Sequence, residues 1–201
     1  MKKFCIAALA YALFATSATA DDSVPAACDQ FAPIMTKRTI DVFHDTTTNV
    51  AQKRAKLSAL FDQGVDTDWI GKFVMGRYWA AASAADQQEF LSAYRKYLTL
   101  IYISKFDEED GYNVENIRIL SLTPKDAGTF EAKTLISRKG DDDVHVDYLL
   151  DQASGKCLVH DIKVEGVSLI TSERSEFGTL AASSGLRGVI AAMQKQLANP
   201  Q

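Results

Sequence analysis

Ser168 is the first residue of this chain whose surroundings suggest catalysis. The segment Gly166–Ile170 has the glycine and serine of a hydrolase nucleophile elbow, but Ile170 replaces the second glycine. The segment also follows a predicted antiparallel strand, whereas the elbow requires a strand-to-helix turn. A triad with His160 is an open alternative, but the broken pattern favours Ser168 as a turn or helix-capping residue.

The histidines do not form a metal-binding pattern. His44, His145 and His160 have no histidine partner four residues away, and a metal site needs three or four ligands close together. His160 and Asp161 are neighbours on a predicted strand, so their side chains are expected on opposite faces. The sequence therefore predicts neither a metal site nor a cofactor.

The first twenty residues have the layout of a secretory signal peptide. Lys2 and Lys3 precede the apolar run Phe4–Phe14, and the small residues Ala18–Ala20 end the segment. The apolar run is too short to span a bilayer, which takes about 20 apolar residues. We therefore expect residues 1–20 to be removed and residues 21–201 to form a single domain outside the cytoplasm.

Charge and cysteine content restrict the function further. The formal net charge is −4, so nucleic acid is not an expected partner. Cys5 belongs to the signal segment, which leaves Cys28 and Cys157 in the mature chain. Two cysteines in an oxidising compartment can pair, but the sequence does not show whether these two meet.

Hydrophobic periodicity divides the mature chain into helical and strand-rich parts. Helical spacing is present in four segments and in the tail: 29–43, 50–61, a short helix after Asp66, a long helix after Ser83, and the chain from Thr171. Alternating spacing predicts strands at 113–122 (with a bulge), 129–138, 144–150 and 156–164. In the last strand, Leu158, His160, Ile162 and Val164 are expected on one side. The predicted fold is α+β, with helices packed on one face of a curved four-stranded antiparallel sheet and an apolar cavity between them.

Three ordered segments resemble the MlaC-type, or toluene-tolerance, family. Phe73–Trp79 is similar to the family's "lGryW" segment, Val159–Leu169 to its "vyDv.veGvSlv", and Arg174–Phe177 to its "RsqF". The resemblance covers about residues 31–197, and three motifs in order are far more specific than one. Two departures are minor: Met75 replaces a usual leucine, and Ser172–Glu173 stand where asparagine-tyrosine is common.

The resemblance implies a periplasmic phospholipid carrier and not an enzyme. Such proteins move lipid between an outer-membrane lipoprotein complex and an inner-membrane ABC transporter that has an MCE-domain subunit. Phospholipid would be bound as cargo, and no cofactor is implied.

The periodicity suggests which side chains would surround the lipid tails. The expected lipid-binding residues lie on the inward stripes of helices and strands: Val74, Tyr78, Tyr94, Leu98, Ile136, Val146, Tyr148, Ile162 and Val164. The same pattern would equally build a filled core. Arg77 and Arg174 are the charges of the resembling motifs, and they either contact a head group or form structural contacts such as ion pairs.

Three other functions remain open at the level of sequence. The first is a carrier of a hopanoid-type lipid. The second is an isomerase of the nuclear-transport-factor-like fold, which would use Asp161 or Asp147 beside Tyr148. The third is an adaptor with a filled core that binds only proteins.

Overall fold

The computed structural model describes residues 27–104, 114–126, 128–152 and 155–199. The predicted signal peptide lies outside these residues. Within them, no helix is both long and apolar enough to cross a membrane.

The described elements follow the predicted α+β order. The helices are α1 (Cys28–His44), α2 (Val50–Gly64), α3 (Thr67–Met75), α4 (Arg77–Ala80), α5 (Ala84–Ser104) and α6 (Leu169–Ala198). The strands are β1 (Val114–Pro124), β2 (Thr129–Arg138), β3 (Val144–Asp151), β4 (Leu158–Val164) and β5 (Val167–Ser168). The four predicted strands are confirmed, and the sheet gains the two-residue β5 as a fifth strand.

Short polar side chains set where the helices begin. Asn49 and Gln52 form a reciprocal capping box at the start of α2. The Asp66 carboxylate accepts a hydrogen bond from the backbone N–H of Trp69 and so caps α3. Ser168 does the same for α6, where its hydroxyl accepts from the backbone N–H of Thr171 at 3.2 Å. This position confirms the capping interpretation of Ser168.

The sheet is an antiparallel meander in the order β1-β2-β3-β4-β5. The bulge predicted in β1 is confirmed, because the pairing with β2 shifts between Val114 and Asn116. The predicted alternation of β4 was wrong. A bulge in β4 places Val159 opposite Leu150, so Val159 and not Leu158 packs with Leu150 in the core.

The core has one cluster among the helices and two against the sheet. The helical cluster of α3, α5 and α6 is centred on Phe90, Tyr94 and Val189, each fully buried. Against the sheet, Phe31 of α1 packs with Ala132 and the strand residues around it. The candidate site lies between the helical cluster and strand β4 of the sheet.

Cys28 and Cys157 form a disulfide, with their Cα atoms 5.1 Å apart. The bond joins the first residue of α1 to the residue that precedes β4, and both cysteines are buried. It therefore ties the helix that covers the sheet to the strand that borders the helical cluster. The pairing that the sequence left open is settled by this contact.

The long α6 is divided by Gly185. This residue has φ 65° and ψ −175°, which interrupts the helical backbone between two helical segments. A glycine accepts such a conformation without the steric penalty of a Cβ atom. The first segment carries the residues that face the candidate site, and the second carries Val189 and Met193 into the helical cluster.

Candidate functional site

A closed space lies between β4 and the helices α2, α3, α5 and α6. Its volume is about 10 Å³. Seven apolar or aromatic residues and two acidic residues line it: Phe61, Val65, Ile70, Leu98, Tyr102, Asp161, Ile162, Ile170 and Glu173. The space is located where the fold prediction put an apolar interior, between the sheet and its helices.

This space is much smaller than a ligand pocket. Pockets for small molecules usually have volumes of about 300–1,000 Å³. A space of about 10 Å³ is close to the room that one water molecule requires. The structure therefore leaves no room for an acyl chain between these walls.

Glu173 places a carboxyl group in this apolar wall. Its side chain is only 7% exposed, and the Tyr94 hydroxyl donates a hydrogen bond to Oε2. The other oxygen, Oε1, is buried and has no hydrogen-bond partner among the described residues. Burial raises the pKa of Glu173 from 4.5 to about 7, and the charges of Glu176 and Asp161 act in the same direction.

Asp161 is the second acid that lines the space. It is 5% exposed, and its Oδ1 accepts a hydrogen bond from the backbone N–H of Ile170 at 3.4 Å. Burial raises the pKa of Tyr102, and the nearby charges of Glu173 and Asp161 raise it further. The site thus has a field that disfavours any additional negative charge.

The structure divides the nine predicted lipid-binding residues between helices and sheet. Only Leu98 and Ile162 line the closed space directly. Val74 and Tyr94 are buried in the helical cluster, and Tyr78 packs against its surface.

The remaining predicted residues lie on β2, β3 and β4 and do not line this space. Tyr148 is paired with Ile162 and packs against the cluster around the disulfide. Val146 and Val164 are paired across β3 and β4. Ile136 packs against the third cluster, near the end of α1. The nine residues are therefore spread over the closed space, the three core clusters and the paired strands β3 and β4, and they do not surround a single open pocket.

The two arginines have different surroundings. Arg174 donates a hydrogen bond to the carbonyl oxygen of Phe73 and lies over its ring at 4.7 Å. This contact satisfies a carbonyl in the last turn of α3, which has no partner within the helix. Arg77 is exposed; its Nη2 donates to the Tyr78 hydroxyl at 2.8 Å. Arg174 is thus in a helix-end contact, whereas Arg77 faces solvent.

Gly76 directly precedes Arg77 in the chain and lies close to the Arg174 guanidinium. It has φ 48° and ψ −117° between α3 and α4, a conformation that only glycine adopts readily. A Cβ atom there would lie 3.1 Å from Nη2 of Arg174. The backbone therefore requires the glycine of the Phe73–Trp79 motif, and a side chain there would also make a tight contact with Arg174.

An aromatic stack lies on the surface beside the site. The rings of Trp69 and His160 are parallel at 4.1 Å, and Trp69 also stacks on Phe73 at 5.2 Å. His160 Nε2 lies 3.4 Å from an Asp66 oxygen. His160 is therefore engaged with α3, while Ser168 caps α6, so the alternative of a Ser168–His160 triad is not supported by this geometry.

The isomerase alternative needs a carboxylate beside Tyr148. Asp147 precedes Tyr148 on β3, and adjacent strand residues point to opposite faces. The carboxylate of Asp161 is directed to the backbone of α6. The two proposed acids therefore do not form the required pair. Within the described ranges, no group of three histidine, cysteine, aspartate or glutamate side chains is placed to hold a metal ion.

Sequence reasoning missed Glu173 as a site residue. The available signal was its position between Ile170 and Phe177, three residues after one and four before the other. This spacing puts the carboxyl group on the apolar stripe of a helix. An acid on such a stripe is almost never fully buried without a partner.

Together, these features define a class of protein: a small α+β domain whose helices and curved antiparallel sheet enclose an apolar interior with a buried carboxyl group. The family model described as MlaC protein matches residues 34–195, and the chain belongs to this family. A solved structure with the same fold is the phospholipid-binding protein from Ralstonia solanacearum in complex with a phospholipid. The two are 18% identical; the match covers 83% of this chain and 94% of that one, with a TM-score of 0.68.

Proposed function

We propose that this protein is a periplasmic phospholipid carrier that holds the acyl tails in its apolar interior. The observation that carries the proposal is the mostly apolar lining of the closed space, to which α5, α6 and β4 contribute Leu98, Ile162 and Ile170. Membership of the MlaC family and the likeness to a phospholipid-bound structure support the same function.

The free energy of lipid transfer explains why a carrier is needed. Exposing one methylene group to water costs about 0.8 kcal/mol. A tail of about fifteen methylenes therefore faces a barrier on the order of 12 kcal/mol when it crosses water. An interior that covers the tails removes most of this barrier, provided that it does not bind them much better than the membrane does.

Lipid uptake requires the closed space to open. The tails would enter between β4 and the helices α5 and α6, where about 10 Å³ is free in the closed state. Packing between apolar surfaces is not directional, so the walls that contact one another when empty can contact lipid tails instead. The empty and loaded states would then bury similar apolar area, which favours exchange in either direction.

The polar end of the lipid would lie outside this interior. Arg77 is an exposed cation beside Tyr78, and we assign to it the contact with a head-group phosphate. Arg174 would act indirectly, because it holds the end of α3. In the cell, the donor and acceptor would be an outer-membrane lipoprotein complex and an inner-membrane ABC transporter with an MCE-domain subunit.

Native mass spectrometry tests the proposal directly. The full chain would be expressed, recovered from the periplasmic fraction without detergent, and measured before and after extraction with organic solvent. We expect a polypeptide mass for residues 21–201 and an additional mass of one phospholipid that extraction removes. A bare polypeptide that also takes up no labelled lipid from liposomes would contradict the proposal, and an extracted hopanoid would reassign the cargo.

A further inference from the structure

The unpartnered oxygen of Glu173 points to a second kind of contact inside the interior. Oε1 is buried, has no hydrogen-bond partner among the described residues, and belongs to a residue that lines the closed space. A buried polar atom without a partner costs about 1–3 kcal/mol. Such a group in a ligand-binding interior is therefore expected to find its partner on the ligand.

The hydrogen bond from Tyr94 indicates which oxygen holds the proton. The Tyr94 hydroxyl donates to Oε2, so that oxygen acts as the acceptor. No ion pair joins Glu173 or Asp161 to a lysine, arginine or histidine within the described ranges. Burial in the apolar wall disfavours the ionised form of Glu173 and raises its pKa. In the neutral acid, Oε2 is the carbonyl oxygen and Oε1 carries the hydrogen.

A hydrogen on Oε1 makes this atom a donor without a partner on a residue that lines the closed space. The group it needs is a hydrogen-bond acceptor that has no hydrogen of its own and enters an apolar interior without charge. Where its tails begin, a diacyl phospholipid has two ester carbonyl groups with this chemistry. Phosphate does not fit, because a charged group that enters an apolar interior without a pairing cation has a large desolvation cost.

We propose that the neutral Glu173 carboxyl group donates a hydrogen bond from Oε1 to an acyl ester carbonyl of the bound phospholipid. This inference rests on the proposed carrier function and adds a specificity to it. The site prefers ester-linked lipids over ether-linked lipids with the same head group and chain length. Tyr94 is the positioning residue, since it holds Oε2 and so orients Oε1 toward the lipid.

The preference depends on pH through the groups that face Glu173. These are Asp161 on β4, Glu176 on α6, and the tyrosines 94, 97 and 102 on α5. Burial raises the pKa of Tyr97 to about 12 and keeps all three tyrosines neutral at physiological pH. Glu173 has a pKa of about 7, so its donor hydrogen, and with it the ester preference, is lost as the pH rises above 7.

A competition between two lipids tests the inference. Liposomes would contain equal amounts of a diacyl phosphatidylglycerol and its dialkyl ether analogue, and native mass spectrometry would give the ratio of the two loaded forms. At pH 6 we expect the wild-type protein to favour the ester lipid by about five- to tenfold, the range of one hydrogen bond. Glu173→Leu should load both lipids equally.

Two further variants separate the hydrogen bond from stability. Glu173→Gln retains a donor and an acceptor but does not ionise, so its ester preference should remain the same from pH 6 to pH 8.5, whereas the wild-type preference should fall. Glu115→Gln removes a charge at an exposed position of β1 that does not act on the pKa of Glu173, and it should behave as wild type. The Gln variant provides the test even when the Leu variant fails to fold.

The outcomes distinguish this inference from the carrier function. Equal loading of both lipids by the wild-type protein at pH 6 would overturn the role of Glu173 and leave the carrier function intact. A full ester preference in Glu173→Leu, or an ester preference in the wild-type protein that is independent of pH, would also overturn it. Loading of neither lipid would contradict the carrier function itself.

Discussion

The Tyr94 hydroxyl on α5 donates a hydrogen bond to Oε2 of Glu173 on α6, across the boundary between the helical cluster and the closed space. Tyr94 is completely buried and Glu173 is 7% exposed. The bond therefore replaces part of the hydration that the carboxyl group loses on folding. Burial raises the pKa of Glu173 to about 7, and the hydrogen bond from Tyr94 acts in the opposite direction.

The stability of the protein should depend on pH through Glu173. Because burial raises its pKa to about 7 from 4.5, the folded state holds this proton at pH values where the unfolded chain has released it. This contribution to the free energy of unfolding is complete below pH 4.5 and is lost as the pH rises to about 7. The change is on the order of 3 kcal/mol. Urea unfolding of wild type and Glu173→Gln at pH 5 and 8 measures it.

The Gln variant should lose this part of the pH dependence, since its amide remains neutral while it still accepts the Tyr94 hydrogen bond. Glu115→Gln, at an exposed position of β1 and not among the groups that shift the pKa of Glu173, is the control and should retain the wild-type dependence of stability on pH. If the free energy of unfolding changed equally with pH in wild type and Glu173→Gln, Glu173 would not titrate in this range.

The disulfide should contribute strongly to stability. It closes a loop of 129 residues, and a cross-link over a loop of this length is expected to stabilise by about 4–5 kcal/mol. The double variant Cys28→Ala, Cys157→Ala should have a free energy of unfolding that is lower by this amount, and therefore a lower urea midpoint. A reducing agent should lower the midpoint of the wild-type protein and leave that of the double variant unchanged. An identical midpoint for oxidised and reduced wild type would contradict the prediction.

Gly76→Ala should destabilise the protein more than an alanine at another glycine with positive φ. At Gly76 the backbone conformation is unsuited to other residues, and a Cβ atom would contact the Arg174 guanidinium. We expect a loss of about 3 kcal/mol. Gly166 also has a positive φ, but a Cβ atom there would meet nothing, so Gly166→Ala should cost about 1 kcal/mol. Thermal unfolding of both variants gives the comparison, and equal losses would exclude a role for Arg174.

Filling the closed space should block lipid uptake. Leu98 lines this space, so Leu98→Trp occupies the position that lipid tails would take. Overpacking costs about 1–3 kcal/mol, and circular dichroism would establish that the variant folds. Leu100 on the same helix lines an open groove of about 410 Å³ beside α2, and Leu100→Trp is the matched control. Uptake of fluorescent phospholipid should fall in Leu98→Trp alone; unchanged uptake would place the tails elsewhere.

The types and order of the secondary structure elements could be predicted because their signals are local. Helical and alternating spacing identified α1, α2, α3, α5 and the four long strands, and the caps at Asp66 and Ser83 marked helix starts. The slip in the pattern of β1 also indicated its bulge. The bulge in β4 was missed. The alternation of Leu158–Val164 does not indicate which residue of β4 remains unpaired with β3.

The candidate site could be predicted only in part. The sequence indicated an apolar interior between sheet and helices, and Leu98 and Ile162 do line the closed space. It did not indicate that the other seven predicted residues lie along the wider interior, or that Glu173 lies at the space itself. Which stripe residue faces a space and which faces a neighbouring helix depends on how the elements are rotated against one another.

The sequence by itself determined the secretory signal pattern, the order of helices and strands, and the motifs of the MlaC family, because each of these is written in neighbouring residues. Only the tertiary structure decided that Cys28 meets Cys157 and that Tyr94 meets Glu173. These pairs are 129 and 79 residues apart in the chain. Their contact follows from the packing of α1 on the sheet and of α5 on α6, which no local pattern specifies.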